Sequence, residues 1–119
     1  MSRDRAHKAE EAMSEFDDRE KAAEARFAHD GELRFRATAR CNRLFGMWAA
    51  EQMGLSGEAA KDYAASMVAA DFGPAGEAGV VRKAIADLSA KAVSIPETAI
   101  RAKLAELMLA ARAQVMAEG

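Results

Sequence analysis

The side chains that could do chemistry in this sequence are few and scattered. His29 and Asp30, with Glu32 close behind, offer ligand types that a metal accepts. Adjacent residues on a helix point in different directions, however, so a surface or helix-pairing role is the plainer reading. His7 sits in a polar N-terminal stretch and reads as solvated. Cys41, the one cysteine, falls on an apolar stripe, where a free thiol behaves as a small buried hydrophobe. No histidine stands in a context that supports a Cys–His pair, and one cysteine can form neither an internal disulfide nor a zinc cage. Gly73-Pro74-Ala75-Gly76 has the glycines of a phosphate loop but lacks the strand before it and the Lys-Ser/Thr after it. Arg82 and Lys83 follow and could meet an anion at a helix start. ATP or ADP binding therefore stays open there, beside the plainer reading of a loop before a solvated, charged helix. No set of residues combines nucleophile, base and supporting partner, so the chain reads as non-enzymatic, without a metal or a resident cofactor.

The arginines Arg26, Arg36, Arg40 and Arg43 raise the question of nucleic acid. Residues 25–44 carry five arginines against two acids, but residues 1–24 carry five basic and eight acidic side chains, and the whole chain is net −2. That balance opposes a nucleic-acid partner. Phe27, Phe35 and Phe45 also stand at core spacing rather than as a stacking platform, and Met47 and Trp48 likewise read as core. Membrane insertion is not expected, because no uncharged apolar run approaches the roughly 18 residues of a span. The start, Met1-Ser2-Arg3-Asp4-Arg5, lacks the apolar stretch of a signal peptide, and Glu10 and Glu11 are too acidic for a transit peptide. A cytoplasmic protein is expected.

The elements that position these residues are helical. The chain has 119 residues, one domain's worth, and its 50 % hydrophobic share includes 30 alanines, while aromatics make up only 6 %. Alanine is the best helix former and is depleted in strands. The first fifteen residues hold no large apolar group except Met1 and Met13, and read as a mobile, helix-competent arm. From Phe16 onward the pattern is helical. Phe27, Gly31, Phe35, Thr38, Cys41, Phe45 and Trp48 fall on one stripe, with a bend allowed at Gly31 or Gly46 and a stop at Gly54. A second helix opens at Ser56, as a side-chain cap, and buries Ala60, Tyr63, Ala64, Met67 and Val68. The loop Asp71–Gly76 precedes a third helix with Val80, Val81, Ala84, Ile85 and Leu88 inside. Ser94-Ile95-Pro96-Glu97 reads as a capping box opening a fourth, which buries Ile100, Leu104, Leu107, Met108, Ala111 and Val115. The expected fold is all-α, a four-helix bundle over residues 16–119 preceded by the arm 1–15.

Several strings in order are more specific than composition. Phe16-Asp17-Asp18-Arg19-Glu20, Arg26-Phe27-Ala28-His29-Asp30 and Arg43-Leu44-Phe45-Gly46-Met47-Trp48-Ala49-Ala50-Glu51 come first. Asp71-Phe72, Val81-Arg82-Lys83, Asp87-Leu88 and Ile100-Arg101 follow. From about Met13 almost to its end the chain resembles the zeta-subunit family of α-proteobacterial F-type ATP synthases, small ATPase-inhibitor proteins. The resemblance implies a four-helix bundle, similar to the mitochondrial ATPase inhibitor in action but not in fold. It further implies that the N-terminal segment inserts into a catalytic interface between α and β subunits, near the γ subunit, and blocks rotation in the hydrolysis direction. On that analogy Phe16, Asp17, Asp18, Arg19, Glu20, Lys21, Glu24 and Phe27 form the inhibitory segment, and the bundle docks on the outside of the catalytic head. The implied partners are the α, β and γ subunits. The protein is then peripheral to the inner membrane through the ATP synthase and monomeric when free. Two alternatives stay open from the residues themselves: a nucleotide-responsive helical regulator, and a helical interaction module without inhibitory action.

Overall fold

A computed structural model describes residues 29–118 of the chain. The arm 1–15, the inhibitory segment and the boundary expected between residues 15 and 16 lie outside the described residues. Among those described there are four helices and no strand: α1 over 29–52, α2 Gly57–Asp71, α3 Glu77–Ala90 and α4 Glu97–Glu118. The chain divides into two compact units between Leu33 and Arg34, and the packing below belongs to the second.

Two of the helices, α1 and α3, end in turns that their sequence supports. Gly54, at φ 78°, takes the left-handed position just past α1, and the amides of Leu55 and Gly54 donate to the carbonyls of Ala50 and Glu51 at 2.8 and 3.0 Å. This is the Schellman pattern, which satisfies carbonyls that a helix end leaves orphaned. Ala92 repeats it after α3 at φ 60°, with the Val93 amide on Leu88 at 2.9 Å and its own amide on Ser89 at 2.9 Å. A side chain with Cβ holds that conformation at a cost, so the packing on either side fixes the turn.

Two expected caps are not formed. Ser56 is the N-cap of α2, yet its side chain makes no cap hydrogen bond. Gly57 behind it is at φ 58°, outside the helical well, so the first turn does not present its amides in the geometry a serine cap needs. The Ser94–Glu97 capping box also fails, because α4 starts later than the box requires. Pro96 supplies the carbonyl that accepts from Ala99 and Ile100 at 3.0 and 3.1 Å, and the Glu97 carboxylate pairs with Arg101 at 3.3 Å. Ser94 and Glu97 therefore do not stand at N-cap and N3.

The core forms along the expected stripes. Ala37, Cys41, Phe45 and Ala49 of α1 are buried, as are Ala60, Ala64 and Met67 of α2. Val80, Val81, Ala84 and Leu88 come from α3, and Ile100, Leu104, Ala111 and Val115 from α4. Tyr63, Val68, Ile85, Leu107 and Met108 are half-buried at its margin. Gly46 is buried against α2, where a Cβ would lie 2.6 Å from Ala64 Cα, so α1 and α2 touch nearly backbone to backbone. A polar clasp joins α2 to α3. The Tyr63 hydroxyl and the Lys83 ammonium both donate to Asp87 Oδ2 at 2.9 Å, and the ammonium lies 5.1 Å from the Tyr63 ring centroid. Burial and the bond to Asp87 push the Tyr63 hydroxyl's pKa well up, so it stays a donor at any ordinary pH.

Cys41 has the structural role its stripe implies. It is fully buried and its thiol donates to the Leu104 carbonyl of α4 at 3.6 Å. Burial, followed by the charges of Glu77 and Asp71 and opposed by Arg112, pushes its pKa from 9.0 up to about 11. The unfolded chain therefore ionises first. The stability that the neutral thiol contributes is complete below about pH 9 and is lost as pH rises towards 11. The wild type should lose about 1–2 kcal/mol more than Cys41→Ala over that interval, read from urea melts of both proteins. Parallel curves would show that the thiol carries no such linkage.

Candidate functional site

The expected inhibitory residues Phe16, Asp17, Asp18, Arg19, Glu20, Lys21, Glu24 and Phe27 all precede the described residues. What the structure places is the surface built by α1 further along the chain, together with the end of α2 and the C-terminal end of α4.

Phe35 does not join the core. It is 58 % exposed and its ring lies 6.0 Å, centroid to centroid and tilted by 48°, from that of Phe72, itself 69 % exposed. Helical periodicity puts Phe35 in line with Cys41 and Phe45, but a face is buried only where another element covers it. Phe72 is the cap residue just beyond α2. Beside the ring of Phe35 a shallow groove of about 340 Å³ is lined by Phe35, Arg36, Ala39, Arg40, Arg43 and Val68. Its lining among the described residues includes three arginines and no carboxylate.

Two of those arginines are engaged from α4. Arg40 Nη2 donates to Glu118 Oε2 at 2.9 Å, and its Nη1 meets the other carboxylate oxygen, a bidentate pairing. Arg36 Nη2 reaches Glu118 Oε2 at 3.2 Å, and Arg40 Nη1 also donates to Gln114 Oε1 at 3.4 Å. The Arg40 hydrogen bond, then the charges of Arg40 and Arg36, hold the Glu118 carboxyl below its usual range despite some desolvation. Because that group is solvated, its stabilising effect is small and is lost as pH falls through its lowered pKa.

Met47 also departs from the expectation of burial. At 40 % exposure it lines a second hollow of about 510 Å³ with Leu44, Trp48, Leu55, Leu107 and others. Trp48 is half-buried and stacks on Phe45 at 5.7 Å. Sequence reasoning missed Phe72, Gln114 and Glu118 as neighbours of the arginines. The signal for Phe72 was an aromatic residue just before a glycine-proline loop, beyond the end of the helix whose apolar stripe it would have to join.

No group of three His, Cys, Asp or Glu side chains is gathered to hold a metal among the described residues. His29, Asp30 and Glu32 are exposed. At the start of α3, Gly76 is the N-cap, Glu77 puts a carboxylate in the first turn, and Lys83 is committed to Asp87. A carboxylate in that position competes with any anion for the helix N-terminus. No helix among the described residues is long and apolar enough to cross a membrane.

Among curated proteins no sequence matches this chain. A solved structure, determined in solution by NMR, is similar at 47 % identity and a TM-score of 0.64, over 73 % of this chain and 99 % of that one. The family model described as ATPase inhibitor subunit zeta matches residues 13–114, the stretch over which the ordered strings from Phe16 to Arg101 are spread. With most of its length inside that match and an all-α bundle behind it, the chain belongs to the ATPase inhibitor subunit zeta family.

Proposed function

We propose that this protein inhibits ATP hydrolysis by the F-type ATP synthase by inserting its N-terminal segment into an α/β catalytic interface near the γ subunit. The observation that carries the reading is the family match over residues 13–114, which takes in both the segment 16–27 and the helices. The segment has the composition for the task. Asp17, Asp18, Arg19, Glu20 and Lys21 offer charges of both signs to complementary subunit surfaces, and Phe16 and Phe27 offer apolar anchors. Ordering such a segment on binding costs on the order of 2–5 kcal/mol, which anchors of this kind offset. Its role is steric, so the protein needs no catalytic group and no cofactor of its own.

The test is ATP hydrolysis by the purified cognate catalytic head, with the full chain and with a version that starts at Phe27. Inhibition by the full chain alone is the expected result. Inhibition by both would move the inhibitory element into the bundle, and inhibition by neither would remove the reading.

A further inference from the structure

We infer that the face carrying Phe35 and Phe72, with Arg36, Arg40 and Arg43 beside them, is the surface by which the bundle docks on an acidic, apolar segment of the catalytic head. This rests on the inhibitory reading above and adds to it the contact that holds the bundle in place.

Composition is the first support. Two adjacent phenylalanine rings are 58 % and 69 % exposed, and aromatic and arginine side chains are those that concentrate binding energy at protein interfaces. Charge is the second. Within a chain that is net −2, the groove beside Phe35 gathers Arg36, Arg40 and Arg43, with the Glu118 carboxylate set against the first two, which leaves a local excess of positive charge. The third comes from the chain itself. Glu118 already holds Arg40 in a bidentate pair and reaches Arg36 at 3.2 Å, so the arginine forks accept a carboxylate in this arrangement. Arg43 is also exposed on that face. A partner carboxylate meets Arg43 directly and competes with Glu118 for the other two, while an apolar side chain beside it covers the phenylalanine pair.

The competition gives effects of opposite sign. The readout is the concentration of full-length protein needed for half-inhibition of the purified head, at low and at high salt. Arg36→Glu with Arg43→Glu should raise that concentration about tenfold or more at low salt and reduce its salt dependence, while saturating protein still inhibits fully. Phe72→Ser should raise it at both salt levels. Glu118→Gln should lower it about two- to fivefold by freeing Arg40 and Arg36. Arg101→Glu, an exposed charge reversal at the far end of α4, should leave it unchanged. All the altered side chains are exposed, and unchanged melting curves will confirm that the variants fold.

Half-inhibition unmoved by the arginine and Phe72 changes, with wild-type inhibition intact, overturns the docking face and leaves the inhibitory reading standing. The absence of wild-type inhibition removes both. A dimer of the free protein that Phe72→Ser dissociates, with half-inhibition unmoved, would give the face to a second copy. ATP that shifts the amide resonances of Arg36 to Arg43 without any patch variant affecting inhibition would give it to a nucleotide.

Discussion

Replacing Phe45 by alanine should lower the stability of the bundle by about 3–5 kcal/mol, the largest single effect expected from any described residue. Phe45 is fully buried, and among the described residues it is the largest of the fully buried side chains. It stacks on Trp48 at 5.7 Å and belongs to the same cluster as Met67, Val80, Leu88 and Leu104. Truncation therefore removes the transfer energy of a whole ring and also leaves a cavity inside that cluster. Much of the remaining core is alanine, which has no side chain to swing into a gap. Collapse around the vacancy must come from whole helices, and this puts the cost towards the upper end. Domains of this size are stable by only about 5–15 kcal/mol, so the variant should melt more than about 10 °C lower. The measurement is a thermal melt followed by circular dichroism. A fall of only a few degrees would show that α1 does not seat this ring in the core. Phe35→Ala provides the contrast, since that ring is exposed and its loss should cost well under 1 kcal/mol.

The difference between these two phenylalanines measures what could be read from the sequence. Period and propensity placed the buried faces of α2, α3 and α4 well, because alanine-rich helices with few large apolar residues leave little choice of register. Cys41, Met67, Leu88, Ile100 and Leu104 all lie where their spacing puts them. Period cannot say how far neighbouring helices extend along a long first helix. Phe35 and Met47 share the register of buried residues and are nonetheless exposed for want of a cover. Partners distant in sequence were equally hidden. Arg40 meets Glu118 across 78 positions and Tyr63 meets Asp87 across 24, pairings that depend on the register between helices rather than on any local pattern. The failed caps at Ser56 and Ser94 have a different cause. Residue type marks where a helix could start, whereas the positive φ of Gly57 and the fixed ring of Pro96 decide where it does.

Gly46→Ala should destabilise the bundle by about 1–3 kcal/mol even though alanine is the better helix former by about 1 kcal/mol. The new Cβ would lie 2.6 Å from Ala64 Cα, 3.1 Å from Met67 Cβ and 3.3 Å from Ala64 Cβ. The nearest of these atoms is backbone, which no rotamer change can move, so α1 and α2 have to separate along a buried seam. Loosening that seam also loosens Phe45 and Met67 on either side of it. Gly31 supplies the internal control. Among the described residues nothing lies within 4 Å of its Cβ position, so Gly31→Ala should hold or raise stability by up to about 1 kcal/mol through propensity alone. Combining Gly46→Ala with Ala64→Gly should not restore the wild-type melt, because that second change removes the farther Cβ and leaves the Cα in place. Full rescue would mean that the side chain of Ala64, not the approach of the two backbones, sets the limit. The string Arg43 to Glu51, among the residues that carry the family resemblance, thus contains at least one residue whose identity follows from packing. Gly46 is small because α2 lies where its side chain would be, whereas Arg43 three residues earlier faces outward, where a partner can reach it.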